Sequence, residues 1–337
     1  MTRLNVTAVQ EDAFATLDTV VVVPARDEQD HIAACLDNLF GQQTRNPAGI
    51  VLCVNNTRDA TAHIALQRAR AARWPLIVIE AHYPRGGVGR ARRLGHRIAL
   101  RAAPRARSIL STDADCLPAP DWQVQIETAL QRAPVVLGRI CVAENELAAF
   151  SRRFLRRQQL ETEFSDLAME FARLIDPVGP DGIGLNTAGG ANLGFRRAAY
   201  LWIGGYRALE SGEDRDIVAR ATRAGLQPVR ADLAVITASM RTMGRAPGGM
   251  ADQIRARSKS GNCTVDSALT SFKAMVAGHL GYDPQDRPMT LLRVAQDLPQ
   301  LRDCVEQLRG LTCTDSRRRH LAAVWQRAGH PIPQRHD

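Results

Sequence analysis

The stretch Ile109-Leu110-Ser111-Thr112-Asp113-Ala114-Asp115-Cys116-Leu117-Pro118 decides how the rest of the chain is interpreted. A short apolar run ends in two acids separated by one residue, and Pro118 and Pro120 are expected to stop any continuation of the strand. If residues 108–112 form a strand, both acids leave its carboxyl end, where open α/β sheets bind ligands. Two neighbouring carboxylates repel, so a hard cation such as Mg²⁺ or Mn²⁺ would stabilise them. A strand that ends in a solvated Asp turn explains the stretch equally well.

The composition limits the class of protein. With 337 residues, 45% of them hydrophobic and 23% charged, the chain suits one large α/β domain with an appendage, or two domains. It has no apolar run of about 18 residues that would span a membrane, and Met1–Asp18 lacks the apolar core of a signal peptide. We therefore expect a cytoplasmic protein. Seven scattered Cys predict reduced thiols, neither a disulfide framework nor a zinc site.

The net charge of +9 comes almost entirely from Arg, because Lys occurs only at 259 and 273. The Arg residues are spread along the chain, without a helix-turn-helix, RNP or zinc-finger pattern, so we expect no nucleic-acid partner. Anionic small molecules fit this charge. A peripheral contact with lipid headgroups at the inner face of a membrane fits it equally well.

Runs of aliphatic and β-branched residues alternate with segments of helical periodicity along most of the chain. This alternation predicts a doubly wound α/β structure with a largely parallel sheet. Gly86, Gly87 and Gly89 do not follow the G-x-G-x-x-G order, which argues against a dinucleotide site. Strands are predicted at residues 19–24, 50–54, 76–79, 108–112, 135–142 and 226–236.

A long amphipathic helix is predicted over residues 147–175. Its apolar stripe indicates packing in the core or in a homodimer, and the Arg cluster at 152–157 indicates a solvated face. A lid or a membrane contact is the alternative for the same segment. Residues 176–187 follow as a Gly/Pro-rich loop that we expect to face a substrate.

Six short motifs between about residues 20 and 236 resemble, in order, those of the family 2 glycosyltransferases. The resemblance implies an inverting enzyme with the GT-A fold, a three-layer α/β/α sandwich with a mostly parallel central sheet. It also implies a catalytic domain at 1–240, with a helical insert at 146–188 on the acceptor side, and a helical extension at 241–337 that packs on it. The motifs are Val22-Val23-Pro24-Ala25-Arg26-Asp27-Glu28, Val54-Asn55-Asn56-Thr57-Arg58-Asp59-Ala60-Thr61, Ala91-Arg92-Arg93-Leu94-Gly95, Asp113-Ala114-Asp115, Gly190–Arg196, and Gly204-Gly205-Tyr206 followed by Gly212-Glu213-Asp214.

Three departures from the family pattern affect specificity. Asn55 stands where the family often has an Asp that reads the base, so the donor nucleotide (UDP, GDP or dTDP) stays open. Arg93 replaces the usual Asn. The Q-x-x-R-W signature of processive synthases is absent, since Gln253–Arg257 lacks the Trp, and this absence favours transfer of a single sugar.

The resemblance implies a nucleotide-sugar donor and a divalent metal, Mn²⁺ or Mg²⁺, that neutralises the diphosphate leaving group. Asp115 would bind the metal, and Asp113 would face the ribose or the waters on the metal. From the residues alone, Asp59 fits a helix cap and Glu28 fits stabilisation of a helix dipole. The residues expected to bind the nucleotide sugar are Pro24, Ala25, Arg26, Glu28, Asn55, Asp59, Arg92, Asp113, Ala114 and Asp115.

Asp214 stands at the position of the family's catalytic base, which would take the proton of the acceptor in a single displacement. An acid in the first turn of a helix also fits simple dipole stabilisation. The acceptor would be a glycan, a lipid-linked molecule or a small molecule, with a hydroxyl or an amine as nucleophile. For Arg241 and Arg245, a solvated basic loop is the alternative interpretation. Residues expected to support the acceptor, or to close over the pyrophosphate, are Gly190, Asn192, Glu213, Arg241 and Arg245.

Two other functions compete with glycosyl transfer. A sugar-phosphate nucleotidyltransferase would carry a Gly-rich loop with Arg and Lys after the first strand, where this chain has Pro24–Glu28. A catalytically inactive nucleotide-binding scaffold would not need Asp113, Asp115 and Asp214 together.

Overall fold

A computed structural model describes residues 3–44, 46–84, 87–148, 150–175, 189–240, 264–266, 269–282 and 286–330. The chain divides into two compact units, residues 1–147 with 188–253, and residues 148–187 with 254–337. This division groups most of the predicted insert at 146–188 with the C-terminal helices. The functional assignment of the segments 1–240, 146–188 and 241–337 stays a prediction.

In the described part of the first unit, nine strands form one sheet in the order β1-β4-β3-β2-β5-β8-β7-β9-β6. The neighbours β4, β3, β2 and β5 are parallel, as are β7 and β9, whereas β1, β8 and β6 run antiparallel to their partners. The mostly parallel sheet predicted from the alternation is thereby confirmed. The strands are β1 (Arg3–Val9), β2 (Thr19–Ala25), β3 (Gly49–Asn55), β4 (Leu76–His82), β5 (Ser108–Ser111), β6 (Cys116–Pro118), β7 (Val135–Val142), β8 (Leu193–Arg196) and β9 (Val229–Ala238).

Helices cover both faces of this sheet. The side chains of Val21 and Val23 join the core formed with α1, α2 and α4. On the opposite face α3 packs against β2 and β3, where a Cβ at Gly95 would lie 2.6 Å from Val22. In chain order the helices are α1 (Ile32–Phe40), α2 (Thr61–Ala72), α3 (Val88–Ala102), α4 (Trp122–Leu130), α5 (Glu144–Leu147), α6 (Arg152–Ile175), α7 (Arg197–Trp202), α8 (Glu213–Arg223), α9 (Phe272–His279), α10 (Leu291–Arg309) and α11 (Thr314–Arg327), with a 3-10 helix at Glu11–Thr16.

The chain after β5 differs from the prediction that Pro118 and Pro120 exclude any further strand. After Asp115 the chain forms β6, which pairs antiparallel with β9 at the end of the sheet order. Pro118 is compatible with this position, because an edge strand leaves one side without ladder hydrogen bonds. The two acids therefore lie in a tight turn between β5 and β6, in which the Cys116 N–H donates to the carbonyl of Asp113 at 3.1 Å.

The second unit is helical and has its own core. Phe164 and Phe171 of α6 are fully buried in a cluster with Val294 and Leu301 of α10. At least this part of the predicted apolar stripe packs inside the protein. Among the described residues, no helix combines the length and the hydropathy that a bilayer crossing requires.

Candidate active site

Hydrogen bonds join the loops that follow β2 and β3. The N–H of Glu28 donates to the Thr61 hydroxyl at 2.7 Å, and the Asp59 carboxylate accepts from the N–H of Gln29 at 3.0 Å. The other oxygen of Asp59 accepts from the N–H of Thr61 at 3.0 Å, at the start of α2. Asp59 therefore holds the helix start and also fastens it to the neighbouring loop. The predicted helix cap accounts for the bond from Thr61 but not for the bond from Gln29.

Asp27 and Asn56 take the left-handed backbone conformation, with φ of 51° and 52°. Such non-glycine residues persist only where their surroundings hold them. Asp27 accepts from the Arg58 N–H at 2.8 Å, and the amide of Asn56 both accepts from the Tyr83 N–H, at 2.7 Å, and donates to the Tyr83 carbonyl, at 3.0 Å. The loops after β2, β3 and β4 are thus joined into one rigid rim at the carboxyl ends of three parallel strands.

This rim holds most of the residues predicted to bind the nucleoside. Pro24, Ala25 and Asn55 are buried at the ends of β2 and β3, and Glu28 is 5% exposed. The guanidinium of Arg26 is more open, with 43% of its side chain exposed. The structure brings these residues together as predicted, with Arg26 as the side chain best placed to meet a solvent-borne ligand.

Arg92 is the centre of a buried polar cluster. It is 1% exposed, and its three nitrogens donate to three acceptors: Glu213 at 3.0 Å, Ser111 at 2.6 Å and Asp113 at 2.5 Å. A planar guanidinium suits this arrangement because its donors diverge in a fixed fork. Arg92 therefore joins the turn after β5 to the start of α8, and it serves as a bridge inside the protein; its contact with a nucleoside stays a prediction.

The Arg92 cluster leaves no room for a side chain at Gly190. A Cβ at this position would lie 2.6 Å from a terminal nitrogen of Arg92. The Gly190 N–H also donates to the Asp214 carboxylate at 2.8 Å, and the Arg215 N–H donates to its other oxygen at 2.8 Å. Asp214 is thus oriented from two sides, next to the Glu213 carboxylate that Arg92 binds.

The geometry of α8 depends on Gly212, which precedes the helix with φ of +74°, a conformation that favours glycine. Glu213, Asp214 and Asp216 occupy the first turn, where negative charge is favoured by the helix dipole. Asp216, however, pairs with Arg220 at 2.9 Å and Arg207 at 3.3 Å. These ion pairs hold the turn before α8, so Asp216 serves the structure of the site.

Burial sets the electrostatics of the cluster. It raises the pKa of the Glu213 carboxyl, and the Arg92 charge offsets part of this rise. Burial raises the pKa of Asp113 as well, again opposed by Arg92. For Arg92, desolvation alone would lower the pKa, but Asp113, Tyr206 and Glu213 raise it above its ordinary value. The guanidinium is therefore a permanent cation, and its charge opposes the rise in pKa that burial causes at Glu213 and at the partly exposed Asp113.

Asn192 lies behind the site. It is 1% exposed, and its amide accepts from the Trp122 indole at 2.8 Å and donates to the carbonyls of Arg139 and Ala234 at 2.9 and 2.8 Å. Because every polar group of its side chain is bonded inside the protein, Asn192 supports the site through β7, β9 and α4.

Asp115 lines a small cavity of about 110 Å³ with His31 and Glu146, at the ends of β6 and β9. Within the described ranges, no three His, Cys, Asp or Glu side chains are close enough to hold a metal alone. Mg²⁺ and Mn²⁺ are commonly held by one or two carboxylates together with substrate phosphates. The carboxylate of Asp115 therefore fits a metal that arrives with a diphosphate.

Sequence reasoning missed Ser111 and Thr61 as parts of the site. A Ser at the end of an otherwise apolar strand, directly before Thr112 and Asp113, was the available signal for the first. The predicted residues Arg241 and Arg245, and the loop 176–187, lie outside the described residues.

Comparisons with known proteins identify the family and the fold. The family model for glycosyl transferase family 2 matches residues 20–199, more than half of the chain. A mannosyltransferase from Pyrobaculum calidifontis, solved in complex with GDP-Man and Mn²⁺, has a TM-score of 0.53 at 16% identity, covering 93% of this chain and 79% of that one. TarS 1-349 from S. aureus, solved with UDP-GlcNAc, has a TM-score of 0.49 at 14% identity, covering 94% and 93%. No curated protein sequence matches the chain. At 16% identity, the likeness to the mannosyltransferase shows a shared fold alone.

Proposed function

Since the chain belongs to glycosyl transferase family 2, and is therefore a glycosyltransferase with the GT-A fold expected from its motifs, we propose that it is an inverting, metal-dependent enzyme. It transfers one sugar from a nucleoside-diphosphate sugar to an acceptor hydroxyl or amine. The observation that carries the proposal is the Arg92 cluster, which joins the turn of Asp113 and Asp115 to the helix that begins with Glu213 and Asp214. Buried Arg92 thereby fixes the turn after β5, which donor binding requires, to the start of α8, which proton transfer requires.

The rim of loops after β2, β3 and β4 binds the nucleoside. Its backbone is held by the hydrogen bonds of Asp27, Asn56 and Asp59, so little ordering remains to be done when the donor binds. The exposed guanidinium of Arg26 lies on this rim as a charged donor. Buried Asn55 offers an amide where an Asp would offer only acceptors, which widens the range of bases that the rim can recognise.

Asp115 would hold the divalent metal, together with the diphosphate of the donor. When bound, the metal neutralises the charge that develops on the leaving diphosphate. Asp113 is paired with Arg92, so its carboxylate orients the turn that carries Asp115. Arg241 and Arg245 remain proposed to contact the pyrophosphate.

Asp214 removes the proton from the acceptor as it attacks the anomeric carbon. The N–H groups of Gly190 and Arg215 hold both carboxylate oxygens, and this fixes the direction in which the base faces. Oriented bases of this kind contribute about a hundredfold to ten-thousandfold to the rate. Attack on the face opposite the leaving diphosphate inverts the anomeric configuration.

The first experiment is a thermal-shift screen of UDP, GDP and dTDP, each with and without Mn²⁺. A ligand that binds the native state raises the unfolding midpoint by mass action. We expect one diphosphate to raise the midpoint strongly with Mn²⁺, and weakly without it or in Asp115→Asn. Equal shifts in Asp115→Asn and in the wild type would contradict the metal role of Asp115.

The second experiment follows the hydrolysis of GDP-Man and UDP-GlcNAc by ¹H NMR, with water as acceptor. An inverting enzyme first releases the anomer opposite to that of the donor. Release of the same anomer as in the donor would refute the inverting mechanism. Formation of pyrophosphate from a sugar phosphate and a nucleoside triphosphate would instead identify a nucleotidyltransferase.

A further inference from the structure

The first unit exposes an unusual pair of large apolar residues at the end of α7. Trp202 is 75% exposed and Leu201 is 55% exposed. Single exposed apolar side chains are normal on protein surfaces, but an adjacent Leu and Trp at a helix end form a protruding apolar tip. Trp is also the residue that prefers the boundary between lipid headgroups and hydrocarbon.

An Arg stripe runs along α3, the helix on which α7 packs. Arg93, Arg97 and Arg101 are all exposed, at i, i+4 and i+8, and therefore lie along one side of the helix. In the part of the chain that the structure describes, none of the three forms an ion pair with a carboxylate. Their charges are thus available to an external anionic partner.

Three contacts hold α7 against α3. Arg197, the first residue of α7, donates to the carbonyls of Leu100 and Ala103 at 3.0 and 3.1 Å. Tyr200 stacks on His96 with ring centroids 4.9 Å apart and an angle of 14° between the planes. These contacts join the helix that ends in the apolar tip directly to the helix that carries the Arg stripe.

We propose that Arg93, Arg97, Arg101, Leu201 and Trp202 form a docking surface for an anionic lipid bilayer. The Arg side chains bind headgroup phosphates, and Leu201 and Trp202 insert at the level of the glycerol backbone. The apolar tip favours a bilayer over a nucleic acid, because an exposed Leu gains burial only in the lipid. This surface lies outside residues 147–175, the segment for which the sequence left a membrane contact as the alternative to core or homodimer packing.

The test measures binding of the full chain to vesicles of phosphatidylcholine, with and without phosphatidylglycerol, by co-sedimentation. Each cation near an anionic bilayer contributes about 1 kcal/mol, which is about fivefold in affinity. We therefore expect Arg97→Ser with Arg101→Ser to weaken binding about 30-fold. Trp202→Ala removes the apolar anchor, and we expect a loss of about tenfold. Binding should need phosphatidylglycerol and should fall as salt rises.

Matched controls separate this surface from general electrostatics. Arg152→Ser with Arg156→Ser removes the same charge at the same spacing from α6, and Leu233→Ala removes a Leu on β9 that is 71% exposed. Both should bind vesicles like the wild type. All of these side chains are exposed, so the unfolding midpoints should not change.

Three results would overturn the proposal. The first is no binding to phosphatidylglycerol vesicles by the wild type. The second is an equal loss in the α6 control, which would place the contact elsewhere. The third is tighter binding to a DNA or RNA oligonucleotide that Trp202→Ala leaves unchanged, since this would identify a nucleic-acid surface.

Discussion

Replacement of Arg92 by Lys tests the buried cluster most sharply. Lys keeps the positive charge but is a single point charge, whereas the guanidinium of Arg92 spans Glu213, Ser111 and Asp113 at 3.0, 2.6 and 2.5 Å. At least two of these bonds are lost. A hydrogen bond to a charged group contributes about 1.5–3 kcal/mol, so we expect Arg92→Lys to lower the free energy of unfolding by about 3 kcal/mol or more.

The assay is urea denaturation, combined with a double-mutant cycle. Glu213→Gln keeps the shape of the side chain and an oxygen that accepts from Arg92, so we expect it to cost less than Arg92→Lys. The two changes affect one network, and their effects should therefore differ from additivity by about 1–3 kcal/mol. As a matched control, Arg68→Lys changes a surface ion pair with Asp37 in which both side chains are nearly half exposed, and should cost under about 1 kcal/mol.

Turnover distinguishes positioning from plain stability. Under conditions in which all variants are folded, we expect Glu213→Gln and Arg92→Lys to lower kcat for donor hydrolysis, because the start of α8 is no longer fixed to the turn of Asp113. The Arg68→Lys control should leave kcat unchanged. Additive effects within about 0.5 kcal/mol, together with wild-type turnover in Arg92→Lys, would refute the cluster as a bridge.

Two further predictions concern single residues around this cluster. His96 is fully buried, and its Nδ1–H donates to the Arg92 carbonyl at 2.8 Å. Burial lowers the pKa of His96 to about 3. Since the unfolded chain binds this proton near pH 6.5, the free energy of unfolding should fall by about 1.4 kcal/mol per pH unit below that value. In denaturation series at several pH values, His96→Gln should remove this slope and exposed His63→Gln should not. Gly190→Ala places a Cβ 2.6 Å from Arg92 and should cost about 1–3 kcal/mol in urea denaturation. Gly278→Ala, in α9 and with open space around it, should be neutral or stabilising, and the reverse order would contradict the packing.

The parts of the fold with strong local signals could be predicted from the sequence. The β-branched run of β2 and the boundaries of β7 match the structure closely, because β2 is buried along its whole length and β7 begins with three buried residues. β1 was not predicted because it has no buried apolar run: it lies at one end of the sheet order, and Leu4 and Val6 are each 49% exposed. β6 was not predicted because two prolines indicate the end of a strand, whereas an edge position tolerates them.

The arrangement of the candidate site could likewise be predicted only in part. Asp113 and Asp115 are separated by one residue, so the sequence alone predicts that they lie in the same loop. The bridge from Arg92 to Glu213 joins residues 121 positions apart, so only the fold could reveal it. The interior bonding of Asn192 could not be foreseen either, because a buried amide and a ligand-binding amide have the same sequence signal.

The most direct test of the proposed function compares Asp214→Asn with Asp216→Asn, two changes in the same turn of α8. Asp214 is oriented by Gly190 toward the site, whereas Asp216 is paired with Arg207 and Arg220. The measurement is kcat for GDP-Man or UDP-GlcNAc hydrolysis, whichever the wild type accepts, beside the diphosphate affinity in Mn²⁺. For Asp214→Asn we predict a loss of about a hundredfold or more in kcat with unchanged affinity, and for Asp216→Asn, which weakens only the ion pairs of the turn, a loss at least about tenfold smaller. Wild-type kcat in Asp214→Asn would contradict its role as the base.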